Sequence, residues 1–181
     1  GETANLCIGQ GAIAVTPLQM AVMVSAVANG GTIYKPRIAA RIEPQGNSDT
    51  RKTKSFPKGI VRGKINASSK AINVLHEAML LDVAGSEGSG YLARVAGLNI
   101  GGKTGTAETN KRINGRKTKD TWFASFAPVE DPKYAVLVLI VDGISGKTSC
   151  APLARQVYEV LKDLPELTEV TQSERTLATV M

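Results

Sequence analysis

Aromatic residues make up only 4% of this 181-residue chain, histidine occurs once, and cysteine twice. So few rings argue against a stacking platform for single-stranded nucleic acid, which takes bases on aromatic faces. One histidine and two distant cysteines, Cys7 and Cys150, offer no metal-ligand spacing. The two cysteines read as small buried residues, since separation in sequence does not supply the geometry a disulfide needs. No run approaches the ~18 apolar residues of a membrane span, and no charged start leads into an apolar signal core. Any export signal or membrane anchor is therefore expected outside this sequence.

What is present suits a globular domain with an aliphatic core: 43% of residues are hydrophobic. The net charge of +6 is carried in separate loops, chiefly 51–64 and 111–119. It fits a solvated surface, or attraction to an anionic polymer or membrane face, better than nucleic acid. There is no internal repeat and no low-complexity segment.

Local signals divide the chain into elements. Residues 1–11 read as extended or looping. Thr16-Pro17-Leu18-Gln19 is a helix start with a capping box and proline at the first position, and the apolar stretch to Ala28 predicts a buried helix. Asn29-Gly30-Gly31 ends it. Residues 37–42 alternate with period two and predict a half-buried strand, with 59–65 as a returning partner and a polar loop over 43–57. Ser68 or Ser69 caps a helix whose apolar stripe is Ile72, Leu75, Met79, Leu80 and Val83, broken by Gly85, Gly88 and Gly90. Residues 121–127 and 134–141 read as two strands joined by a proline-rich turn, and 151–164 as a last helix with Leu153, Val157, Val160, Leu161 and Leu164 on one side. The run 111–119 is expected to be a solvated hairpin loop. His76 lies beside the stripe of its helix and reads as a satisfied boundary residue. Trp122, Phe123 and Phe126 read as core and boundary packing.

The chemistry concentrates in Gly101-Gly102-Lys103-Thr104-Gly105-Thr106-Ala107-Glu108. On a strand, Lys103 and Gly105 share one face while Thr104 and Thr106 share the other. Gly105 lets a substrate backbone approach, and an edge strand offers main-chain groups to an extended peptide. Asp142, Gly143 and Gly146, ahead of the last helix, are candidates to line the same site. A rival reading exists, because residues 97–104 match the P-loop pattern letter for letter. That loop must open a helix whose N-terminal N–H groups meet phosphate. Here it leads into a polar, basic stretch with no apolar period, which argues against nucleotide.

Ile8-Gly9-Gln10-Gly11, Thr16-Pro17-Leu18-Gln19-Met20-Ala21 and Ala28-Asn29-Gly30-Gly31 resemble the run that precedes the third motif of class B penicillin-binding proteins. Val95-Ala96-Gly97 through Gly102-Lys103-Thr104-Gly105-Thr106-Ala107 resembles that motif itself. Trp122-Phe123-Ala124-Ser125-Phe126-Ala127-Pro128 and Asp131-Pro132-Lys133-Tyr134-Ala135-Val136 resemble the strands after it. The likeness is greatest to the elongation-type enzymes.

This resemblance implies an α+β fold: an antiparallel sheet flanked by helices, part of a penicillin-binding/β-lactamase-like transpeptidase domain over 1–164. A mobile tail over 165–181 follows from Pro165 and the polar residues after it; the resemblance implies a serine D,D-transpeptidase that cross-links peptidoglycan stem peptides through their D-Ala-D-Ala end and binds β-lactams. Lys103 would be the catalytic residue of this segment, orienting the site with its charge. Thr104, Gly105 and Thr106 would bind substrate, and the Thr106 N–H would donate to the oxyanion. The resemblance implies no cofactor and no metal, and action at the extracytoplasmic (periplasmic) face of the cell membrane.

Two family motifs are missing. The one formal Ser-x-x-Lys, Ser55-Phe56-Pro57-Lys58, carries a proline costly in a helix and falls on the wrong side of the Thr-Pro-Leu-Gln run. Ser-x-Asn has no match. The chain is therefore expected to be inactive alone, with the missing N-terminal part of the same transpeptidase domain as its partner. A non-catalytic peptidoglycan- or β-lactam-binding module is the alternative.

Overall fold

In a computed structural model the described residues are 2–7, 9, 13–44, 52–113 and 115–164; the tail expected over 165–181 lies outside them. Their centre is a three-stranded antiparallel sheet of β5 (Gly101–Ile113), β6 (Arg116–Ala127) and β7 (Tyr134–Ile140), in the order β5-β6-β7. Short connections make sequential strands neighbours, so β6 lies in the middle and β5 at an edge. Helices cover both faces, which makes the fold α+β as the sequence implied.

One face packs the end of α3 (Ser69–Ala84) and α4 (Ala151–Leu161) onto Phe123 and Ala127, with Val83, Ala93, Ile100, Cys150, Ala154 and Tyr158 filling the layer. The other packs α2 (Pro17–Ala28) through Val24 and Ala28 onto Ala124 and Phe126. Phe123 and Phe126 are fully buried on opposite faces, each contributing about 2 kcal/mol or more of transfer free energy. The seven residues of β7 are all half-buried, in keeping with a strand covered on both sides.

The α2 start forms as its residues dictate. Thr16 Oγ1 accepts from Gln19 N while Gln19 Oε1 accepts from Thr16 N, closing the capping box. Gly30 and Gly31 take positive φ at its end. Ser68 caps α3 by accepting from Ala71 N at 3.2 Å. His76 Nε2 donates to Val27 O at 2.9 Å and its ring lies 4.8 Å from that of Phe126, tilted by 47°. It is the satisfied boundary residue anticipated.

Several expectations fail. Residues 2–7 form a short helix, α1 (Glu2–Cys7), where extended chain was expected. The strand expected over 37–42 shrinks to β2 (Arg41–Ile42), paired with β3 (Lys54–Ser55) inside the expected loop. Ile38 there is 97% exposed, because no layer covers a two-residue ribbon. The returning strand β4 (Val61–Lys64) pairs instead with β1 (Thr32–Tyr34), directly after α2. The run 111–119 is not a loop: β5 and β6 stay paired from Arg112↔Lys117 to Ile113↔Arg116, beside the turn at Gly115. Finally, α4 buries Ala151, Ala154 and Tyr158, while Leu153, Val157 and Val160 face outward. Small residues let the helix come close, and the Tyr158 hydroxyl reaches Ser125 Oγ at 3.1 Å.

Candidate active site

Lys103 to Thr106 lies on the edge strand, with Lys103 opposite Ala124, Thr104 opposite Phe123, Gly105 opposite Trp122 and Thr106 opposite Thr121. The strand assignment removes the nucleotide reading, since Lys103 does not open a helix. Pleating sends Thr104 and Thr106 to the face of α4, and Lys103 and Gly105 to the face of α2. A Cβ at Gly105 would touch only Trp122, at 3.4 Å. The fold itself nearly tolerates a side chain there, so the glycine keeps space open over the strand.

The Lys103 side chain is 63% exposed. Its Nζ turns along the strand edge, 3.3 Å from the Thr104 carbonyl and 3.5 Å from both Thr104 Oγ1 and Ser89 Oγ. Asp82 Oδ1 lies 3.8 Å away. Ser89 Oγ in turn meets Thr104 Oγ1 at 2.5 Å and Asp82 Oδ1 at 2.8 Å. Neither Asp82 nor Ser89 stood out in the sequence. They belong to the end of α3 and to the glycine-rich loop after it, which reads locally as a helix stop.

Gly146, one of the three residues expected near the site, touches it: its N–H donates to Thr106 Oγ1 at 3.2 Å. Gly143 donates its N–H to Lys119 O and so serves the hairpin. Asp142 pairs with Lys111 at 3.1 Å, and hydrogen bonds from Lys111 and then Thr118 hold its carboxyl below the ordinary value. Ser55, the rejected nucleophile, sits exposed in β3, outside the three-stranded sheet. Cys150 is a buried free thiol donating to Thr121 O; the Cys7 side chain lies outside the description. Among the described residues no cluster of three or more His, Cys, Asp or Glu could hold a metal, and no helix is long and apolar enough to cross a membrane.

A family model described as the penicillin-binding protein transpeptidase domain matches residues 1–159. Stage V sporulation protein D of Bacillus subtilis is 35% identical over 175 residues, covering 92% of this chain and 25% of that protein. Peptidoglycan D,D-transpeptidase MrdA of Haemophilus influenzae is 29% identical over 180 residues, covering 92% of this chain and 27% of that protein. The imipenem acyl-enzyme of penicillin-binding protein A from M. tuberculosis superposes with a TM-score of 0.65 at 27% identity, over 84% of this chain and 32% of that one. The chain thus spans about a quarter of the length of the curated relatives it matches.

Proposed function

The chain belongs to the penicillin-binding protein transpeptidase family, and we propose that it forms one wall of a serine D,D-transpeptidase that cross-links peptidoglycan stem peptides. The observation that carries this reading is the placement of Lys103 to Thr106 on a sheet edge, ammonium outward and Gly105 uncovered. An extended D-Ala-D-Ala end can add to such an edge by main-chain hydrogen bonds. Lys103 supplies positive charge beside the reacting carbonyl and the Thr106 hydroxyl holds the terminal carboxylate, while the Thr104 hydroxyl stays turned to Ser89. The Thr106 N–H donates to the oxyanion, a role worth ~3 kcal/mol per donor in acyl transfer. A β-lactam occupies the same groove, as supported by the relative that is acylated by imipenem. No cofactor or metal enters this scheme.

The serine nucleophile and its base come from the remainder of the transpeptidase domain, so residues 1–164 are inactive alone. That remainder covers apolar side chains left open here, Leu18 and Met23 on α2 and Val157 and Val160 on α4, which are 41–69% exposed. The domain acts at the extracytoplasmic face, through an anchor outside this chain.

The test is acylation of the complete transpeptidase by a fluorescent penicillin. Wild type should label covalently. Lys103→Ala should slow labelling at least a hundredfold, about 2.7 kcal/mol of barrier, with the melting temperature little changed because the lysine packs little core. Equal labelling by both proteins would remove Lys103 from catalysis, and no labelling of wild type would remove the transpeptidase assignment.

A further inference from the structure

Asp82 sits in the last turn of α3, where the helix dipole disfavours a negative charge. Its side chain is only 15% exposed, and Oδ2 is buried with no hydrogen-bond partner among the described residues. The loop that follows is moulded around it. Ser89 N donates to Asp82 Oδ1 at 3.2 Å and Gly90 N donates to Asp82 O at 3.0 Å. A Cβ at Gly88 would stand 2.0 Å from Asp82 O, a backbone atom, so the loop passes there only as glycine, and one at Gly90 would press on Asp82 Oδ2 at 2.9 Å. A residue that breaks a local rule while its surroundings close on it calls for a reason beyond helix formation.

Donor counting supplies one. A carboxylate only accepts, so the Ser89 hydroxyl proton goes to Asp82 Oδ1 at 2.8 Å. Ser89 Oγ then has only lone pairs left for Thr104, and the 2.5 Å contact must be donated by the Thr104 hydroxyl. Thr104 Oγ1 in turn presents lone pairs to the Lys103 ammonium, 3.5 Å away. All protons along this chain point from Lys103 towards Asp82. We propose that Asp82 and Ser89 are positioning residues that fix the Thr104 hydroxyl and hold the Lys103 ammonium over the strand edge. The proposal rests on the transpeptidase reading above. The Lys103–Asp82 contact, long at 3.8 Å and with the lysine largely in solvent, adds little to stability; its effect is on where the ammonium stands.

In the complete transpeptidase, penicillin acylation rates of wild type, Ser89→Ala, Ser89→Thr, Lys103→Ala and the Ser89→Ala/Lys103→Ala double variant form the test. Ser89→Ala should slow acylation about tenfold, the order of one hydrogen bond serving a charged group. Ser89→Thr keeps the hydroxyl and should restore the rate. The double variant should be no slower than Lys103→Ala alone, because the serine acts through the lysine. A serine that merely stabilised the loop would give multiplicative losses with or without Lys103. That pattern, or a Ser89→Ala rate equal to wild type, overturns the positioning role and leaves the transpeptidase reading standing. Failure of wild type itself to acylate overturns both. Should Ser89→Ala not fold, Ser89→Cys, which retains a weak donor but accepts poorly, must show the same loss and the same dependence on Lys103.

Discussion

The backbone N–H of Gly146 donates to Thr106 Oγ1 across 3.2 Å, tying the entry to α4 onto the fourth residue of the Lys-Thr-Gly-Thr wall. The approach is close enough to exclude any side chain. A Cβ at Gly146 would lie 2.3 Å from Trp122 O, 2.8 Å from Gly105 O and 3.0 Å from Gly105 N, all backbone atoms of the two strands.

Gly146→Ala should therefore push the α4 entry off the sheet and cost on the order of 1–3 kcal/mol, the range of overpacking changes. In the complete transpeptidase acylation should fall as well, since Thr106 loses its tether. Thermal melts and labelling rates check this together. A variant as stable and as fast as wild type would show that the contact is dispensable.

Asp142 gives a prediction in pH. Its carboxyl is held below the ordinary value of 3.8 by Lys111 and Thr118. A depressed carboxylate adds stability above its unfolded value, and that stability disappears as pH falls through the folded one. The loss should thus set in below about pH 4, with wild type falling and Asp142→Asn staying flat relative to it. Asparagine also accepts the positive φ of 58° found at this position, so the backbone is not the variable. The carboxylate is solvent-exposed, and high salt should shrink the difference. Parallel stability curves from pH 6 to pH 2 would refute the pairing.

The parts legible in the sequence were those fixed by neighbours along the chain. The capping box needs only Thr16 and Gln19. The order β5-β6-β7 needs only short turns and apolar runs, and it carries the Lys103 edge with it. An apolar count favours Leu153, Val157 and Val160 as the buried face of α4. The helix instead chooses the face where Ala151 and Ala154 allow close contact and Tyr158 finds Ser125. The Asp82–Ser89–Thr104 chain was illegible for another reason. It joins a helix end, a loop and a strand whose proximity exists only after folding.

The described chain should form no covalent penicillin adduct, because Ser55 sits in an exposed two-residue strand with no helix to organise it. Intact mass after exposure to a β-lactam is the measurement. A mass gain equal to the drug, lost in Ser55→Ala, would reinstate that serine. Excess Mg-ATP should likewise leave the melting temperature unchanged, since Lys103 lies on a strand rather than at a helix start.

The outer stripe of α4 separates the chain alone from the chain in its complete domain. Val157 and Val160 are 41% and 69% exposed here, so Val157→Ser with Val160→Ser should change the stability of the isolated chain by no more than about 0.5 kcal/mol each, the usual limit for surface sites. If the rest of the transpeptidase domain covers the stripe, the same pair should cost the complete protein about 1–3 kcal/mol through lost apolar burial. Tyr158→Phe is the control. Its hydroxyl bonds Ser125 inside this chain, so it should cost about 1 kcal/mol in both contexts. Small serine effects in both proteins would mean that the stripe faces solvent throughout. Large effects in both would mean that α4 packs the other way round, with Leu153 and Val157 inward.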